Sequence, residues 1–83
     1  MPLFMDVHHL DGAVALGDVA TAHIADLQEQ ANHDVNYLRY WVDERQGKVF
    51  CLVEAPSADA ADTVHREAHG LVADEIYLVQ EGS

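Results

Sequence analysis

Residues 35–57 read VNYLRYWVDERQGKVFCLVEAPS, and this stretch decides the architecture. Val35 to Glu44 and Lys48 to Glu54 are rich in branched and aromatic side chains, the composition of a pleated, half-buried surface. Between them Gln46-Gly47 suits a tight reversal, so the two runs are expected to pair as an antiparallel hairpin. A two-residue turn there sets Trp41 opposite Leu52, Val42 opposite Cys51 and Arg39 opposite Glu54, the last an attractive charge pair. Ala55-Pro56 stops the second run, and Ser57 is a good N-cap for the helix that follows.

Upstream of this stretch, Leu3, Met5 and Val7 alternate with Phe4, Asp6 and His8, which predicts a strand ending near His9. Gly12 and Gly17 bracket a loop, and Asp18 is the expected N-cap of a first helix running to Asn32 or His33. Its apolar stripe is Ala20, Ile24, Leu27 and Ala31. Downstream, the second helix turns Ala61, Val64, Ala68 and Leu71 inward, with Gly70 near its end. A fourth strand runs from Glu75 to Gln80.

The order βαββαβ predicts a ferredoxin-like α+β fold, with a four-stranded antiparallel sheet and both helices on one face. Leu3, Met5, Val7, Val42, Cys51 and Val53 suit the covered face. The open face would then show Phe4, Trp41, Phe50 and Leu52 beside Asp6, His8, Arg39 and Glu54. A bare face carrying so many large apolar groups predicts a homodimer joined through that face or through an edge strand.

Eighty-three residues suffice for one small domain spanning 1–83, and a hydrophobic fraction of 49% argues against disorder. Four basic residues against fifteen acidic ones leave a formal net charge of −11, with the six histidines neutral. A phosphate backbone has to be met by lysine and arginine, so nucleic acid is excluded as a partner, and an anionic membrane surface is disfavoured. The lone Cys51 rules out an internal disulfide and an all-cysteine zinc cage. No apolar run approaches the roughly 20 residues of a membrane span. Met1 to Asp6 lacks the basic flank of a signal peptide, and a cytoplasmic protein is expected.

Histidine is over-represented: His8, His9, His23, His33, His65 and His69. His65 and His69 are four apart, so their imidazoles stand one helical turn from each other, with Asp62 on the same side. Two imidazoles at this spacing can chelate a divalent ion, and a carboxylate adds charge. Strand alternation is expected to send His9 to the helix side near His69 and His8 to the open face. The candidate metal ligands are therefore His8, His9, His65 and His69, with Asp6, Glu54 and Asp62 as possible carboxylate neighbours. The competing reading makes His65 a boundary residue hydrogen-bonded to backbone. His23, Asp26, Gln30 and His33 share a face of the first helix that reads as solvated. Cys51 reads as a small core residue. The alternative function is a dimeric α+β barrel enzyme acting on a small molecule, with an open-face pocket of Asp6, His8, Tyr37 and Arg39 near Trp41. No catalytic motif accompanies it.

Three segments carry a resemblance: Met1 to His9, Phe50 to Pro56, and Val64 to Gly70. They resemble small bacterial ferredoxin-like proteins of a domain-of-unknown-function family that has actinobacterial, Streptomyces-type nickel-binding members. Cys51 with Ala55-Pro56, and His65, match the broader family pattern; His69 and the His8-His9 pair resemble the nickel-binding branch. The resemblance implies a dimer that binds Ni²⁺ at its surface and acts as a sink for excess metal. Imidazole and carboxylate donors also suit Cu²⁺, Zn²⁺ and Co²⁺, and composition does not single out nickel.

Overall fold

In a computed structural model, which describes residues 1–82, the chain runs β1 (Leu3–His9), α1 (Leu16–Glu29), a 3₁₀ turn (Gln30–His33), β2 (Asn36–Asp43), β3 (Lys48–Glu54), α2 (Ala58–Ala68) and β4 (Glu75–Val79). The domain span expected for the sequence ends at Ser83, which lies outside the described residues. The four strands form one antiparallel sheet in the order β2-β3-β1-β4, which with two helices is the ferredoxin-like βαββαβ arrangement. Among the described residues no helix is long and apolar enough to cross a membrane.

The hairpin forms with a register two residues away from the expected one. Asp43 pairs with Lys48, so Glu44 to Gly47 form a four-residue loop, closed by the Gly47 amide on the Asp43 carbonyl at 2.9 Å. Trp41 therefore faces Phe50, Val42 faces Val49, and Arg39 faces Leu52 and not Glu54. Glu54 instead accepts a hydrogen bond from Asn36 Nδ2 at 3.3 Å. A shift of two preserves side-chain parity, so Val42, Cys51 and Val53 keep their expected face. A register break at Leu38, between Tyr37 and Arg39, turns Tyr37 into the core.

The first strand is inverted relative to its expected orientation. Its register sets Phe4 against Val53, Asp6 against Cys51 and His8 against Val49, and cross-strand partners share a face. Since Val49, Cys51 and Val53 are buried under the helices, Phe4, Asp6 and His8 go there as well. Leu3, Met5 and Val7 take the open face, beside Val79, Tyr77 and Glu75 of β4. Simple alternation puts the charged residues outside. The structure puts them inside because their polar atoms find one another there.

The first helix is rotated for the same reason. It starts at Leu16 with Ala15 as an N-cap that offers no side-chain hydrogen bond, and Asp18 falls in its first turn. Ile24 and Leu27, expected inside, are 56% and 42% exposed, while Asp26 is buried. Val19 packs on the core instead. The second helix follows expectation more closely. Ser57 Oγ accepts from the Ala60 amide at 3.1 Å, Ala61 and Val64 are buried, and Gly70 at φ +81° lets the chain leave the helix. Leu71 lies beyond its end and is exposed.

Candidate metal centre

Under the helices, His65 is the hub of a buried polar network at 1% exposure. Its Nε2 stands 2.9 Å from Asp6 Oδ2 on β1, and its Nδ1 stands 2.9 Å from Asp26 Oδ1 on α1. Burial works against charging His65, but the hydrogen bonds to Asp26 and Asp6 outweigh it and push its pKa up to about 11. At neutral pH it is an imidazolium donating both N–H groups, one to each carboxylate. Burial also raises Asp6, and the hydrogen bond from His65 and the adjacent His8 more than reverse this, leaving it well below the usual carboxylate range.

The remaining partners follow from this hub. His69 Nδ1 accepts the Leu71 amide at 3.1 Å, so its Nε2 carries the proton and donates to Asp26 Oδ1 at 3.0 Å. Burial, helped by the charge on His65, holds His69 below the ordinary imidazole value against the pull of Asp26. The Tyr37 hydroxyl, donating at 3.1 Å to both Asp6 Oδ2 and the Ala61 carbonyl, is pushed far up by burial and the nearby carboxylates. Burial raises the Cys51 thiol to about 11. His8 Nε2 lies 3.2 Å from Asp6 Oδ1, without the alignment of a hydrogen bond, so Asp6 Oδ1 is buried and unpartnered.

Two sets of potential ligand atoms converge here, Asp6/His8/Cys51/His65 and Asp26/His65/His69, each within 4.8 Å of one another. All of these but Asp6 border a pocket of about 100 Å³ beneath α1, whose walls include Val14, Val19 and Leu71 and whose polar lining is His8, Asp18, His23, Asp26, His65 and His69. His23 rests on the Tyr40 ring, and burial lowers its pKa. The donor set, nitrogen and oxygen with one buried carboxylate oxygen left unsatisfied, fits a borderline divalent cation such as Ni²⁺.

Of the sequence candidates, His8, His65 and His69 come together and His9 does not. His8, expected on the open face, is on the helix side. His9, expected near His69, is on the open face, with Nε2 2.5 Å from Glu75 Oε1. Asp62 joins neither group, and its Oδ1 is buried without a partner. The expected open-face pocket does not assemble, because Asp6, His8 and Tyr37 are beneath the helices while Arg39 is across the sheet. The inward face of α1 carries Asp26 and His23, the pair read as solvated. The signal for it was the spacing His23, Asp26, Gln30 on one helical face.

The fold and pocket define a small ferredoxin-like protein with a buried histidine–carboxylate cluster. The model of the nickel-responsive protein SCO4226-like family matches residues 4–79, and the chain belongs to that family. The crystal structure of SCO4226 from Streptomyces coelicolor A3(2) superposes with a TM-score of 0.90 at 37% identity, over 98% of this chain and 99% of that one. No curated protein matches the chain.

Proposed function

We propose that this protein binds Ni²⁺ as cargo and buffers or sequesters it, with the ion taken in the pocket by His8, His65 and His69 together with Asp26 and Asp6. The observation that carries this reading is the convergence of two ligand sets on one side chain, His65. In the metal-free state both ring nitrogens of that centre carry protons, one donated to each carboxylate, and a cation that enters has to replace at least one of them. The sequestering histidines in this reading are buried, unlike the surface histidines expected from the sequence. His9 beside Glu75 is a separate exposed donor pair outside the pocket.

A homodimer through the open sheet face belongs to the same reading. That face presents Leu3, Met5, Phe50 and Leu52 in a continuous band, flanked by Trp41 and Tyr77 at 48% and 49% exposure. A cytoplasmic setting suits the free, buried Cys51.

Isothermal titration of Ni²⁺ into the wild type and His69→Ala tests the metal reading, with circular dichroism confirming that the variant is folded. Affinity is expected to fall at least about tenfold on loss of a ligand. Equal affinity in both removes His69 from the site.

A further inference from the structure

The imidazoles around the pocket differ in whether their nitrogens are already occupied. Both N–H groups of His65 are held by carboxylates, and both nitrogens of His69 are held by Leu71 and Asp26. His23 makes no hydrogen bond among the described residues, although it lines the same pocket. Its ring rests on Tyr40, centroids 4.6 Å apart and tilted by 43°, so it is positioned by stacking and not by polar contacts. Asp26 lies three residues further along α1, on the same pocket-facing side. Asp26 Oδ1 accepts from both His65 and His69, and Oδ2 makes no hydrogen bond among the described residues.

We propose that His23 is a further metal ligand of the pocket, acting with Asp26 and His8 as a nitrogen donor that a divalent ion reaches without displacing an existing hydrogen bond. This rests on the reading of the pocket as a metal site. His23 stands outside the two convergent ligand sets, and joining them takes a side-chain rotation into the pocket, where the neighbouring Ala22 and Val19 are short. Its ring is neutral in that step and gives a lone pair, the state an imidazole ligand needs.

The test uses the full chain with ¹⁵N-labelled histidine, Zn²⁺ as a diamagnetic probe, and Ni²⁺ titrations of His23→Ala and His23→Phe. Phenylalanine keeps the stack on Tyr40 and removes the nitrogens. Zn²⁺ is expected to shift a His23 ring nitrogen, and both variants are expected to bind Ni²⁺ at least about tenfold more weakly than wild type, His23→Phe with unchanged thermal stability. A His23 ring signal that does not move, or variants that bind as wild type does, overturns the His23 role while leaving the pocket reading intact. Affinity restored in His23→Phe also overturns it, since the ring would then act by packing alone. A wild type that binds neither ion overturns the pocket reading, and the His23 role with it.

Discussion

His65 Nδ1 on α2 and Asp26 Oδ1 on α1 stand 2.9 Å apart in the buried interface between the helices. This contact explains the rotation of α1. A carboxylate inside a protein has to be hydrogen-bonded, and Asp26 receives His65 and His69 together. Turning the helix to bury Ile24 and Leu27 would forfeit both bonds. Exposing two aliphatic side chains costs about 2–3 kcal/mol each at most, and less where they remain half-covered. Breaking a buried ion pair by withdrawing one partner costs about 3–5 kcal/mol, so the polar contact prevails.

Removing the hub should show this directly. His65→Phe keeps a flat aromatic ring, a somewhat larger one, and deletes both donors, leaving Asp6 and Asp26 buried without them. A loss of about 3–5 kcal/mol is expected by urea denaturation. A change under about 1 kcal/mol would mean the network adds nothing to the fold.

The metal-free protein should have an unusual pH profile. His65 moves from 6.5 to about 11 on folding, so its contribution is complete below pH 6.5 and is lost as pH climbs toward 11. Asp6 moves down from 3.8, so its contribution is complete above that value and is lost in acid. His69 and His23 are lowered on folding, and below 6.5 the unfolded chain takes up protons that the folded one refuses. Stability is therefore expected to peak near neutrality and to decline from pH 7 to 10, measured as the urea midpoint. In His65→Phe the decline between pH 7 and 9 should vanish, leaving the loss above pH 9 that the raised Cys51 thiol and Tyr37 hydroxyl bring. A flat wild-type profile across that range contradicts the charged state of His65.

Nickel binding through His65 should expel protons. At pH 7 the imidazolium has to lose at least one proton for each ion that it ligates. Calorimetry in two buffers of different ionisation enthalpy gives the number released, and a value near zero would exclude His65 as a ligand.

Self-association should depend on the open face. The wild type is expected to sediment as a dimer and Leu52→Glu as a monomer, with the circular dichroism spectrum unchanged. A monomeric wild type at tens of micromolar sinks the proposed interface.

The β2–β3 loop should tolerate no side chain at Gly47. Its φ is +70°, and a Cβ there would lie 1.9 Å from the Gly12 carbonyl oxygen, a backbone atom that cannot swing aside. Gly47→Ala is expected to cost at least about 2 kcal/mol by urea denaturation, combining left-handed strain with the clash. A cost below about 0.5 kcal/mol would mean that the loop readily adopts another path.

Much of this was legible in residue order. Alternation in Lys48 to Glu54, the Ser57 cap and the βαββαβ sequence of elements are local properties, and they led to the right fold. The pairing His65-x-x-x-His69 was equally local, because helical geometry alone brings those two rings together. The hairpin register was misread because Gln46-Gly47 does not reveal whether its loop has two residues or four. The faces survived that error because the slip was even.

Composition and periodicity thus determined the strands, the helices, their order and the presence of a histidine-bearing face on α2, since each depends on neighbours within a few residues. Tertiary structure alone decided which way β1 and α1 face. Leu3-Met5-Val7 is the more apolar of the two faces and Phe4-Asp6-His8 nevertheless goes inside, so what decides is whether a buried carboxylate meets a donor from an element far away in the chain. His65, 59 residues from Asp6 and 39 from Asp26, supplies that donor to both.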